Sequence, residues 1–323
     1  MLRGKVLGLT IALGAAALAW ATGGSAQEFP TRPIKLVVPL PAGGVGDVLA
    51  RALGDQLTKR LGQPMVVENR VGAGGFIGSD VVAKAEPDGY TLLLGSNSLV
   101  GYPIFLKDAA KLDPVKAFTP LSLLTELPWI IVVNSSVPAK SLADFVSYVK
   151  ANPKKLNFAV VSNSAQQLDM MRFIKMAGLD VVLINYNGTA PVYAALLAND
   201  VQAYFGAWAA IGPHAKPGRL TPLAVTSARR TEQAPAIPTA REAGMNFEAS
   251  TWFALLGPAG MSPARSGRLA GETAAAIRED LAARIREIGH EVVGSTPEVL
   301  AQVIARDQAL YKGIADSIGV KQE

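Results

Sequence analysis

The sequence predicts an α/β fold of two lobes, each a mostly parallel sheet flanked by helices, with the chain crossing between them on a pair of strands. Three observations predict it. Short β-rich apolar runs alternate with segments of helical period along most of the chain. Glycine- or serine-rich loops follow successive strands, as they do where a strand gives way to a crossover helix. Three helical stretches near the C-terminus have no strands of their own to cover, so they must return to the first lobe.

The first lobe begins with a strand over 34–38, the loop Pro39-Leu40-Pro41-Ala42-Gly43-Gly44-Val45-Gly46-Asp47, and a helix to about residue 61. Val48, Leu49, Leu53, Leu57 and Leu61 recur at helical spacing, and Gly62 ends the run. A strand over 65–68, a glycine loop over 72–75, a helix to about 85, the turn Pro87-Asp88-Gly89 and a strand over 90–94 complete a βαβαβ unit. The second run starts near Trp129 with a strand over 130–133, then a helix whose Ser141 and Asp144 resemble a capping box. Strands follow over 156–161, 181–185, 201–205 and 223–226, with helices over 166–177 and 191–198 between them. One more strand, 251–256, precedes helices over 263–276, 279–288 and 297–318. The apolar segments 121–133 and 251–258 are the expected crossings and act as a hinge. The expected division is lobe 1 over 27–128 plus 250–323 and lobe 2 over 129–249.

Residues 1–26 read as a cleavable secretory signal. Arg3 and Lys5 precede an uninterrupted run of apolar and small residues from Val6 to Ala21, and Gly24-Ser25-Ala26 fits a peptidase site. The run is shorter than the roughly 20 residues that span a bilayer, which argues against the alternative, a retained anchor. No cysteine occurs, so no lipid-bearing cysteine follows the signal and no disulfide supports the exported chain. A bacterial periplasm fits such a chain, its stability resting on a large core. With 31 basic and 26 acidic residues and no Lys/Arg block interleaved with aromatics, a nucleic-acid partner is excluded.

Catalytic residue types are scarce. The two histidines, His214 and His290, are far apart and read as surface or helix-end residues, with no second ligand at metal spacing. No Gly-x-Ser-x-Gly elbow or P-loop is present, and Ile77 stands where the third glycine of a dinucleotide fingerprint belongs. No cofactor or metal is expected. What remains is a set of loops at the carboxyl ends of strands, where open α/β sheets bind ligands. They span 40–47, 72–76, 96–98, 162–166 and 186–189, and none contains Lys or Arg. An anion there would be held by backbone N–H groups and by Ser and Asn side chains. One helix N-terminus supplies up to about 2 kcal/mol, whereas micromolar affinity corresponds to about 8 kcal/mol, so donors from both lobes must close over the ligand.

Several motifs resemble a known family. Phe29-Pro30-Thr31-Arg32-Pro33-Ile34, the 39–44 loop, and Val67-Glu68-Asn69-Arg70 with Gly72-Ala73-Gly74-Gly75 are similar to the Bug family, the TctC-like extracytoplasmic receptors of tripartite tricarboxylate transporters. Pro87-Asp88-Gly89-Tyr90-Thr91-Leu92, Leu223-Ala224-Val225-Thr226-Ser227, Pro238-Thr239 with Glu242-Ala243-Gly244, and Trp252-Phe253 before Gly257-Pro258-Ala259-Gly260 extend the match in order to about residue 320. The resemblance implies a periplasmic-binding-protein (Venus-flytrap) fold. It implies a monomeric receptor, not an enzyme, that captures a small carboxylate and passes it to membrane permease subunits. Carried over, it places the ligand against Leu40, Gly43, Gly44, Val45 and Asp47, with Ser96, Asn97 and Ser98 beneath.

The second lobe departs from the family pattern. Ser162, Asn163 and Ser164 stand in a loop that lacks the usual glycines, with Gln167 at the family's His position. Tyr186 is followed by Asn187 in place of Lys, and Gly206, ahead of Trp208, replaces a frequent Asp. An acid at that point can meet a ligand ammonium, and glycine cannot. The expected ligand is therefore a dicarboxylate, a hydroxy acid or an aromatic carboxylate, with Trp208, Tyr102 and Tyr186 as candidate walls. A ligand sensor on the same fold and a periplasmic enzyme are the competing functions. Of the two, the enzyme has only Asp47 as a titratable carboxylate in these loops.

Overall fold

A computed structural model describes residues 29–320 and 322, so the segment read as a signal lies outside the described residues. The chain enters at β1 (Ile34–Val38), whose side chains are all buried except Lys35. Helix α1 (Val45–Leu61) packs Leu49, Leu53 and Leu57 inward. It stops where Gly62, at φ 72°, adopts the left-handed conformation and donates to the Thr58 carbonyl. Next come β2 (Met65–Asn69), α2 (Phe76–Ala83), β3 (Thr91–Ser96), α3 (Ser98–Phe105) and a single turn, α4 (Pro114–Ala117). Strands β2 and β3 flank β1 in parallel, with Leu36 opposite Val67 and Leu92.

The apolar stretch 121–133, expected as one crossing, is two strands in different sheets. Strand β4 (Phe118–Pro128) belongs to the first sheet and β5 (Ile130–Asn134) to the second, with Trp129 between them. Helix α5 (Leu142–Ala151) follows, capped as expected by the Ser141 hydroxyl, which accepts from the Asp144 N–H at 3.1 Å. Then come β6 (Asn157–Val161), α6 (Ala165–Ala177), β7 (Val182–Tyr186), α7 (Thr189–Ala198), β8 (Ala203–Gly206), α8 (Trp208–Ala215) and β9 (Leu220–Val225). This second sheet has the order β7-β6-β8-β5-β9. Strand β6 is parallel to β7 and β8, while β5 is antiparallel to both its neighbours.

The chain returns on β10 (Ser250–Pro258), which inserts antiparallel between β3 and β4. Helix α9 (Pro263–Ala275) runs through a π turn (Ala276–Asp280) into α10 (Ala282–Glu287), where two separate helices are expected from sequence. A two-residue strand, β11 (Glu291–Val292), pairs with β4, and α11 (Pro297–Ile318) ends the fold. The first sheet therefore reads β11-β4-β10-β3-β1-β2. Leu269, Ile277 and Ile285 bury against one face of it, with Leu36 and Leu94. Leu300, Ile304 and Tyr311 bury against the other, with Val37 and Trp252. Among the described residues, no helix is long and apolar enough to cross a membrane.

Helix α11 also reaches the second sheet's layer. Its Asp307 accepts from the Trp252 indole at 2.7 Å, and its Tyr311 hydroxyl donates to Asp169 of α6 at 3.3 Å. Six residues further along both helices, Lys175 of α6 donates to the Ser317 carbonyl at 2.6 Å. Asp169 is almost wholly buried, and burial pushes its carboxyl up to about 7 against the attraction of Arg172. An unfolded aspartate ionises near pH 4, so Asp169 lowers folded-state stability progressively as pH rises from about 4 to about 7, with no further loss above that. Asp169→Asn is expected to melt above the wild type at pH 8, with the gap closing by pH 4. Thermal melts across that range check it, and identical pH dependence in both proteins would rule out the assignment.

Candidate functional site

The carboxyl ends of β1, β2 and β3 carry the first set of loops. In the loop after β1, Gly43 sits at φ +78°, a conformation open to glycine, and so turns its N–H onto Asp47 Oδ2 at 2.9 Å. Asn69, at the end of β2, donates to Asp47 Oδ1 at 2.9 Å and to the Leu40 carbonyl at 3.0 Å. Arg51, one turn along α1, completes the ring by donating to Asp47 Oδ2 at 3.0 Å. Burial alone would raise the Asp47 carboxyl, but the bonds from Arg51, Gly43 and Asn69 outweigh it and hold the group at about 2. Asp47 is thus a permanently charged brace for the loop. Gly44 and Val45 are exposed beside it, and the half-buried Leu40 packs under Gly46.

The loop after β2 turns through left-handed Gly74 and Gly75 into α2. Beneath it lies Tyr102, only 2% exposed, edge-on to Phe76 and within 3.4 Å of the Ser79 hydroxyl. Burial raises its phenol to about 12. Tyr102 is therefore a floor for the loop rather than the cleft wall expected from sequence. After β3, Ser96 and Ser98 are half-buried, and Ser98 donates its N–H to the Ser96 hydroxyl at 3.3 Å. Asn97 turns away into the framework. Its amide donates to the Ser250 carbonyl at 3.1 Å and accepts from Thr251 at 2.7 Å.

The ends of β6, β7 and β8 gather at one edge of the second sheet because those strands run parallel. Ser162 donates its N–H to the Tyr186 carbonyl at 2.9 Å, which joins two loops. Asn163 adopts φ +57° and donates to Gln167 Oε1 at 2.9 Å, while the Ser164 hydroxyl caps α6 by accepting from the Gln167 N–H at 3.2 Å. Gln166, 4% exposed, accepts from Val161 at 3.2 Å and donates to the Phe205 carbonyl at 3.0 Å, fixing the ends of β6 and β8 together. Gln167, at the family's His position, is thus spent on loop shape. Asn187 is exposed, Tyr186 is half-buried, and Trp208 lies over Gly212 of its own helix. Gly206 is buried, and a Cβ there would come 2.7 Å from the hydroxyl of Tyr193, a residue that carries no motif signal in the sequence.

The two loop sets meet. A Cβ added at Gly74 would lie 3.3 Å from the Asn163 carbonyl oxygen, so the glycine loop of the first sheet abuts the 162–164 loop of the second. Neither histidine takes part. His290 is buried rather than superficial. It lies 3.0 Å from the Thr125 hydroxyl, stacks on Phe253, and is pushed down to about 4 by burial. Among the described residues, no group of His, Asp and Glu side chains could hold a metal ion.

Residues 49–320 match the sequence profile of the tripartite tricarboxylate transporter family receptor, TctC. This chain belongs to that family. The receptor is similar to protein BugT of Bordetella pertussis, 37% identical over 74% of each chain. Its fold matches solved periplasmic binding proteins. A Rhodopseudomonas palustris protein solved with adipate is 31% identical, with a TM-score of 0.81 over 92% of this chain and all of the other. MatC from the same species, solved with bound malate, is 30% identical, with a TM-score of 0.77 over 88% of this chain and 99% of the other. The family is one of periplasmic solute-binding receptors.

Two outcomes are expected of this geometry. Asp47→Ala leaves the Gly43 N–H, Asn69 and Arg51 without their shared acceptor, and should cost about 1–3 kcal/mol in denaturant unfolding. Gly74→Val should weaken solute binding by roughly 10-fold or more, read by calorimetry, because the added bulk strains a left-handed residue and holds the loops apart. Unchanged affinity would show that these loops do not close on the solute.

Proposed function

We propose that the receptor captures a small carboxylate between the two loop sets and delivers it in the periplasm to the permease of a tripartite tricarboxylate-type transporter. The approach of Gly74 to Asn163 carries the proposal, since it brings donors of both sheets within reach of one small solute. The loops contain no Lys or Arg. One carboxylate is therefore held beside Gly43 and Gly44, whose own N–H groups already donate to Asp47 and Pro41, by the backbone N–H groups that open α1 from Val45 and by the Ser96 and Ser98 hydroxyls. The Asp47 charge is offset at close range by its ion pair with Arg51, and its two oxygens are turned onto Gly43, Asn69 and Arg51. Ser162, Asn163, Tyr186 and Asn187 face the other end of the solute. The related proteins solved with adipate and malate support a dicarboxylate, and the glycine at position 206 supports a solute without an ammonium group there.

Charge placement favours binding over catalysis. The one carboxylate of these loops is tied down as an anion, and the histidines lie elsewhere. Removal of residues 1–26 on export would free the receptor to meet its permease by diffusion.

Native mass spectrometry of the purified protein, followed by thermal-shift screening of carboxylates, tests the reading. A solute at 100 times its Kd should stabilise the protein by about 2.7 kcal/mol, a visible shift in Tm. Dicarboxylates should outrank their amino-acid counterparts. Tighter binding of amino acids would overturn the assignment at position 206, and hydrolysis of an ester with no carboxylate binding would overturn the receptor reading itself.

A further inference from the structure

The sequence marks Gly206 by what it lacks, and the structure shows what stands in its place. Tyr193, on the helix after β7, lays its phenol against the end of β8, where a Cβ at position 206 would be only 2.7 Å from its oxygen. That oxygen accepts the Ala207 N–H at 3.0 Å. The ring is braced edge-on against Tyr204, with centroids 5.5 Å apart. A phenol that accepts one bond still has a proton to donate. Among the described residues, no protein acceptor takes it.

We propose that Tyr193 is a specificity-determining residue of the second lobe, donating its hydroxyl proton to an oxygen of the solute's far carboxylate. The inference rests on the carboxylate-receptor reading and names the group that reads the second carboxylate. Its position follows from the topology. The phenol oxygen sits at the carboxyl end of β8, on the same edge as Ser162 and Tyr186, the edge that abuts Gly74. Burial raises the phenol to about 12, so it remains a donor at any physiological pH. A neutral donor suits an anionic oxygen, whereas an ammonium would have to compete with the Ala207 N–H for the phenol's lone pairs. The absent side chain at 206 is then a steric requirement. Any residue larger than glycine displaces the hydroxyl.

The test compares dicarboxylates with the monocarboxylates that lack their second charged end: succinate with butyrate, adipate with hexanoate, terephthalate with benzoate. Calorimetry on the wild type, Tyr193→Phe, Gly206→Ala and the double variant reads both affinity and selectivity. The wild type should prefer at least one dicarboxylate. Tyr193→Phe should lose roughly 10-fold on it while leaving the monocarboxylate unchanged. Gly206→Ala should reproduce that loss with the tyrosine still present, and the double variant should lose no more than either alone. If Tyr193→Phe does not fold, Gly206→Ala alone carries the comparison. A purely structural tyrosine would lower both affinities together, and that result, or full retention of dicarboxylate affinity, overturns the inference while leaving the receptor reading intact. Preference for monocarboxylates does the same. Binding of no carboxylate by the wild type overturns both.

Discussion

The pairing of β4 with β10 is the constraint on which the rest of the molecule depends. The two strands run antiparallel from Ser250 opposite Pro128 to Pro258 opposite Phe118, so the chain leaves the first sheet and re-enters it at adjacent points. Both ends of the second sheet's chain segment are thereby held at one place. Trp129 donates its N–H to the Thr226 hydroxyl at 2.9 Å, and Thr226 donates in turn to the Ala249 carbonyl at 2.6 Å, which ties the outgoing and returning strands just beyond the crossing. Because β10 lies between β3 and β4, the connection is also the middle of a hydrophobic sheet. Trp252, Ala254, Leu255 and Leu256 are buried along it. The two connections between the sheets therefore lie side by side, at Trp129 and Ala249.

Around that crossing, charge is handled in different ways. In the glycine- and serine-rich loops, the one carboxylate has its oxygens met by Gly43, Asn69 and Arg51. Behind them, a cavity of about 330 Å³ is lined by Glu126, Asp169, Glu291 and Asp307, with Arg172 and Arg306 among them. Burial raises Glu126, Asp169 and Glu291 alike. Low-dielectric surroundings penalise each charge, and the few cations present only partly offset this. The structure thus stores its electrostatic cost at the junction of the layers and keeps the glycine- and serine-rich loops free of exposed side-chain charge.

Much of the fold is legible in the sequence because its strands are short and apolar and its long helices have clear period. Leu49, Leu53 and Leu57 announce α1, and Ser141 with Asp144 announces α5. Helices α3 and α8 are not legible, since each is eight residues long and carries an internal proline, Pro103 and Pro213, that reads as a breaker. Strand β11 has two residues and no pattern to detect. The π turn hides inside a helix because its backbone shift leaves composition unchanged. For the candidate site, glycine clustering after strands marks loops that the fold gathers at the carboxyl ends of its strands, but exposure does not follow from it. Asn97 and Tyr102 stand in those segments and face inward, since their orientation is set by β10 and by the glycine loop above. Tyr193 lies 14 residues before the backbone N–H it accepts from, and only the fold brings the two together.

The insertion of β10 has a consequence for the order of assembly. The second sheet is drawn from one continuous stretch, 130–225, and can form as soon as that stretch is available. The first sheet cannot. Strands β1 to β4 are made early, yet β3 and β4 share no pairing and must wait for residues 250–258 to fill the gap between them. A chain emerging from its N-terminus therefore holds two exposed strand edges open while the second lobe folds, a state prone to mispairing. The long, slow-to-form contacts of the first lobe come last, so the piece that begins first is the piece that is finished last.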